Sequence, residues 1–180
     1  MKYKLTEETI NVDGRTLHRI EALKDFGDVK KGDKGGFIEK EDNLSQNGNC
    51  WVYDNAKVYG NAVVFGNAVV FGNAVVFDSA AIYDNALVCD NVEVCNNARI
   101  YGYATVFEDA MVYGNAIVYD NAEIYGKARV YGNAEVYDNA RVYGNAKVCD
   151  DAYIYNNAKI CGEAKVYGNM EVYGNTKFGE

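Results

Sequence analysis

From Cys50 to the C-terminus the chain is one six-residue unit repeated without insertion or deletion. Val or Ile returns at every sixth position from Val52 through Val172, and Phe178 closes the series. Ala stands two residues before most of them and Tyr, Phe or Cys one residue after, so the consensus reads Ala-x-Val-Tyr-Gly/Asp-Asn. A unit this short cannot bury its own apolar face. It does so only when the next turn of chain stacks on it, which is the signature of a solenoid. Within the unit, Ala and Val share one side and the residue between them takes the other, the period of an extended strand. The Gly/Asp-Asn pair that follows is turn chemistry, because Gly adopts positive φ freely and Asn tolerates it better than most residues. A short strand and a sharp turn every six residues trace a polygon. Pro is absent, as suits a coil in which nearly every backbone N–H is needed by a neighbour.

Residues 1–49 lack the period and are read as an N-terminal cap on a solenoid spanning 50–180, since a terminal coil needs a polar cover. Thr9 to Leu17 suggests a β-hairpin turning at Asp13-Gly14, and Gly32 to Gly36 a flexible bend into Phe37-Ile38. No apolar run approaches the roughly 18–20 residues of a membrane span, and no secretory signal opens the chain. A soluble, cytoplasmic protein with no membrane partner is expected. Five cysteines, an odd number with neither zinc nor CxxC spacing, are expected to be free thiols. The net charge is −8, and in residues 50–180 nine Lys and Arg stand against sixteen Asp and Glu. That balance keeps a Tyr-rich rod in solution.

The aliphatic residue of each unit, with a small one two positions earlier, resembles the hexapeptide-repeat, left-handed parallel β-helix proteins. The stretches Asp25 to Lys30, Gly35-Gly36-Phe37 and Asn43 to Trp51 resemble the opening segment of the bacterial YdcK-like family, whose members are often labelled transferases by analogy of fold. The resemblance implies an all-β fold: a single-stranded left-handed parallel β-helix with three hexapeptides per triangular coil of 18 residues, about seven coils, and a small hairpin cap. Fold by itself does not fix function.

An 18-residue coil stacks the sequence into rows. The inner rows are aliphatic. One outer aromatic row runs unbroken through Phe65, Tyr83, Tyr101, Tyr119, Tyr137, Tyr155 and Tyr173, whereas the other two are interrupted by Cys89 and Cys161 or by Cys95 and Cys149. Such a row either stiffens the rod through ring-on-ring contacts or docks a partner. In the first coils Val63, Phe65, Val69, Phe71, Val75 and Phe77 form an apolar belt, to be covered by the cap or by a second chain. Further along, Arg141, Lys159 and Lys177 fall on one face, Arg129, Lys147 and Lys165 on the next, and Glu135, Tyr153 and Glu171 on the third. The basic rows either guard exposed strand edges or form an anion site from Arg129, Arg141, Lys147, Lys159 and Lys165.

Catalytic signals are sparse. Hexapeptide acyltransferases, by resemblance, use a His base and a projecting loop; here the sole His is His18, in the cap, and the repeats carry no extra residue. The repeat cysteines have no His in the repeats to activate them. Asp120 with Asp138, and Asp90 with Glu108, share corner rows, but the calcium-binding repeat pattern is missing. No catalytic residue, metal site or cofactor is therefore assigned. The expected function is a non-enzymatic, protein-binding or self-assembling scaffold, with homo-oligomers and other proteins rather than nucleic acid as partners. Two alternatives stay open: an acyltransferase-like oligomer with a site between subunits, and a binder of anionic ligands or nucleic acid or an inhibitor of a nucleic-acid enzyme.

Overall fold

Each hexad forms a two-residue strand made of its variable position and its Val or Ile, as at Val69–Val70 and Arg141–Val142. Each strand pairs in parallel with the one eighteen residues on, so that Val70 lies beside Val88, Val88 beside Val106 and Val106 beside Ile124. The computed structural model describes all 180 residues as an all-β parallel solenoid with three sheets and no α-helix. We call the sheets face 1 (inner residues Ile38, Val58 and on to Val166), face 2 (Val52 to Phe178) and face 3 (Val64 to Val172). No helix is long and apolar enough to cross a membrane.

The interior is dry. From Val52 to Ile160 every inner Val and Ile is fully buried, and the Ala residues beside them are buried with them. At about 1.5–3 kcal/mol for each buried aliphatic side chain, these rows are the main source of stability. Small Ala at the corners lets the three strands approach closely, and only Cys50 and Val92 take larger side chains into an Ala slot while staying buried.

The corners divide their labour differently from the expectation. Positive φ falls on the Gly/Asp position, as at Gly60, Asp78, Asp84 and Asp138, and the Asn that follows is not left-handed. At most of the corners where that position is Asp, its carboxylate accepts the backbone N–H of the coil beyond: Asp138 accepts from Asn156 at 2.9 Å, and Asp90 from Glu108 at 2.9 Å. The Asn side chains instead form amide ladders, Asn97 donating to Asn115 and Asn115 to Asn133 at 3.1 and 3.0 Å.

The cap is built from β1 (Tyr3–Val12), β2 (Arg15–Ala22) and β3 (Lys34–Ile38). β1 and β2 form the expected antiparallel hairpin, with Asp13 and Gly14 both at positive φ, the geometry of a two-residue primed turn. β3 then joins face 1 in parallel, Ile38 beside Val58, and Leu44 bridges to Val64. Parallel pairing thus begins upstream of residue 50, and the solenoid has about eight turns rather than about seven. The first turn escapes the six-residue period because Ile38 to Val58 and Leu44 to Val64 are each two residues longer than the standard coil. Nor is Gly32 to Gly36 a flexible bend. Gly35 and Gly36 lie within β3, where a Cβ would stand 2.5 Å from the carbonyl oxygens of Val52 and Ala56; they are Gly because backbone passes against backbone.

Backbone N–H groups along the rod donate toward the C-terminal end, Tyr53 to Val70 and Tyr101 to Val118. The first coil's carbonyls therefore face the cap with no coil above them, and a buried carbonyl needs a donor. Lys2 and Tyr3 supply it: the Lys2 amine donates to the Cys50 carbonyl at 2.8 Å, and the Tyr3 hydroxyl to those of Leu44 at 2.6 Å and Glu41 at 3.0 Å.

Candidate interaction surface

The rings stand outside the shaft, in register, one per coil. On face 3, Phe65, Tyr83, Tyr101, Tyr119, Tyr137, Tyr155 and Tyr173 stack in one ladder with centroids 4.7–5.3 Å apart and planes within 15° of parallel. The strand spacing of about 4.8 Å sets this distance, and such stacking adds about 0.5–1.5 kcal/mol per pair beyond burial. Tyr119 donates to Glu135 at 3.3 Å and Tyr155 to Glu171 at 3.1 Å, tying the ladder to the outward row beside it. On faces 1 and 2 the ladders are shorter, Tyr113 on Tyr131 and Phe107 on Tyr125 on Tyr143, with cysteines in the gaps.

All five cysteines are free. Burial, with Asp90 alongside, pushes the Cys89 thiol up to about 12, and burial pushes Cys95 up to about 11. At neutral pH both are thiols rather than nucleophilic thiolates. His18 belongs to the hairpin, its Nδ1 lying 3.0 Å from the Thr6 carbonyl.

The six belt residues do not share one environment. Phe77 stacks on Tyr59 at 5.3 Å, and both Val75 and Phe77 pack on a cluster of Leu17, Phe37 and Tyr59, flanked by Ile10 and Val12 of the hairpin. The cap covers face 1 in this way. On face 2, Val69 and Phe71 line an open groove of about 400 Å³ with Tyr53 and Leu87, rimmed by Asp28 and Asp54. On face 3, Val63 and Phe65 stay at the surface, Phe65 at 40% exposure.

The basic residues fall in the expected rows. Arg129, Lys147 and Lys165 are in register on face 1, and Arg141, Lys159 and Lys177 on face 2. They occupy two faces, and Arg141 is held by Glu123 at 3.1 Å, which offsets one of the five charges assigned to an anion site. The third row is likewise as expected, with Glu135, Tyr153 and Glu171 stacked on face 3.

Several residues that organise the cap carry no signal in the repeat. Asn43 is buried and donates to the carbonyls of Ala62 and Gly60 at 2.8 and 3.2 Å, bridging the first two coils. Arg19 donates to the Gly35 carbonyl at 2.7 Å and lies over the Phe37 ring. Trp51 is buried edge-on to Phe26 and Tyr3.

Comparison with known proteins agrees with this geometry. A family model described as YdcK Beta solenoid repeat matches residues 56–71 and 134–150. Over 61 residues the chain is 44% identical to an Escherichia coli (strain K12) protein named "Uncharacterized acetyltransferase YdcK"; the matched stretch is 29% of this chain and 19% of that relative. The chain thus spans about a fifth of the relative it matches. With its eighteen-residue coils and three parallel sheets, the protein is a parallel β-solenoid, two stretches of which match the YdcK Beta solenoid repeat.

Proposed function

We propose that the protein is a non-enzymatic scaffold that binds protein chains, including copies of itself, through its regular outer surface. The observation that carries this reading is the unbroken ring ladder of face 3, which the cap leaves open while it covers the apolar start of face 1. A flat aromatic stripe loses water readily and holds its stacked side chains in place before binding, so little entropy is lost on contact. The groove at Val69 and Phe71 adds a second uncovered apolar site. The expected setting is the cytoplasm.

Light scattering tests the reading. Wild-type protein is expected to scatter with a mass above the 19.9 kDa of one chain, and Ile117→Lys and Val69→Lys are expected to lower it without loss of β structure. A mass of one chain at every concentration overturns self-association.

The name of the matched relative favours acyl transfer as a second reading, with a site between subunits that includes His18. Acetyl-CoA binding that disappears in His18→Ala would replace the scaffold reading with this one. A salt-sensitive gel shift removed by charge reversal of Arg129, Arg141, Lys147, Lys159 and Lys165 would instead support an anion or nucleic-acid binder.

A further inference from the structure

The outward row of face 3 reads Val63, Ala81, Arg99, Ile117, Glu135, Tyr153, Glu171, seven positions in strict register. Its middle member is Ile117, half-buried in the single chain. Turned end for end about an axis through Ile117 that lies in the plane of the face and across the rod, the central five positions of the row meet those of a second copy in a complementary way, and Val63 meets Glu171 at the two ends. Ile117 meets Ile117, Arg99 meets Glu135 twice, and the small Ala81 meets the large Tyr153 twice. Arg99 is exposed and has no salt bridge within its own chain, and neither has Glu135, whose carboxylate only accepts the Tyr119 hydroxyl. Tyr153 is 36% exposed and is the only ring in this row.

We infer that face 3 is a two-fold, antiparallel interface with a second copy of this chain, centred on Ile117 and held in register by reciprocal Arg99–Glu135 pairs. The inference rests on the scaffold reading and names the partner and its orientation. An isologous contact of this kind makes each residue serve twice and closes at two copies. Side-by-side pairing in the parallel sense would set Arg99 on Arg99 and Glu135 on Glu135, and like charges in contact reject a wrong arrangement. The ring ladders flank the central row on both partners and provide the rigid apolar border, while the charged pairs fix the register. Face 1 cannot pair in this way because the hairpin covers its first coils. On face 2 the same operation would set Thr105 against Glu123, whose carboxylate is already engaged by Arg141.

A charge swap tests the pairing. Arg99→Glu and Glu135→Arg are each expected to be monomeric by sedimentation, because each sets like charges together on both sides of the axis. Mixed in equal amounts they are expected to form a heterodimer, in which both kinds of contact are again opposite in charge. Ile117→Cys, on the axis, is expected to give a disulfide-linked dimer on mild oxidation where wild type gives none. All three substitutions lie at outward positions, and an unchanged circular dichroism spectrum verifies the fold. If wild type dimerises but the mixture does not pair and the Ile117→Cys variant does not cross-link, the orientation is wrong and the scaffold reading stands. If wild type is a monomer throughout, the interface and the self-association on which it rests both fall.

Discussion

The amine of Lys2 donates to the carbonyl oxygen of Cys50 at 2.8 Å and lies 3.2 Å from its sulfur, in a site from which water is excluded. Burial lowers the Lys2 pKa, and no carboxylate pairs with it. A lysine is kept there because the first coil's carbonyls point out of the open end of the shaft and need donors. Tyr3 does the same for Leu44.

Tyr3→Phe removes that hydroxyl and little else. A buried carbonyl left without a donor costs about 1–3 kcal/mol. Denaturant unfolding is expected to show a loss of this size, and hydrogen exchange to place it in the cap and first coil. An unchanged stability would mean that water reaches the Leu44 carbonyl.

High pH is expected to unfold the rod. Burial in the ladder raises the phenol pKa values of Tyr83, Tyr101, Tyr119 and Tyr137 above the ordinary 10.0. Burial and the hydrogen bond to Asp28 bring Tyr53 to about 12. As the pH rises past 10 the unfolded chain loses these protons first. The stability that the phenols contribute is therefore complete below pH 10 and is lost as the pH climbs through the raised values. Ultraviolet titration of phenolate should lag behind free tyrosine and then jump together with the loss of β signal. Titration at the pH of free tyrosine would contradict the stacked, half-buried ladder.

Gly36→Ala is expected to destabilise by at least the roughly 1–3 kcal/mol typical of overpacking, because its Cβ would stand 2.5 Å from the Ala56 carbonyl oxygen and 2.7 Å from the Val52 side chain. Gly14→Ala meets no atom within 4 Å and carries only the strain of φ +79°. Thermal melting of the pair checks the contrast; similar losses would restore Gly36 to a merely flexible role.

Asp138 combines a left-handed backbone at φ 55° with a carboxylate that accepts from both the N–H and the side-chain amide of Asn156. Asp138→Gly loses the hydrogen bonds but relieves the backbone, whereas Asp138→Ala loses the bonds and keeps the strain. The Ala variant is expected to be the less stable of the two, by roughly 1 kcal/mol. The reverse order, read from denaturant midpoints, would show that the corner does not need the left-handed conformation.

The solenoid is legible because spacing alone imposes it: any unit from Val52 to Val172 that lost register would turn its Val or Ile to water. The ring ladder, the basic rows and the stacking of Glu135 under Tyr153 follow from the same arithmetic. The first coil is hidden because its corner between Leu44 and Val52 holds two more residues than the others and so leaves the period. Lys2, Tyr3, Arg19 and Asn43 are illegible for a related reason. Each acts on particular carbonyls distant in the chain, and nothing repeats to announce it. The corner Asn misleads because positive φ and an amide ladder favour the same residue, and only the backbone separates them.

The eighteen-residue register underlies every row, face and partner assignment, and cysteine cross-linking reads it in solution. Cys95 is partly exposed, and Tyr113 occupies the same slot one coil on. Adjacent strands about 4.8 Å apart lie within the span that a disulfide bridges. Tyr113→Cys is expected to form an intramolecular bond with Cys95 on mild oxidation, identified by mass spectrometry of the digest, and Tyr125→Cys, which lies on face 2, is expected to leave Cys95 free. A bond from Cys95 to residue 125, or none to residue 113 in the folded chain, would contradict the account.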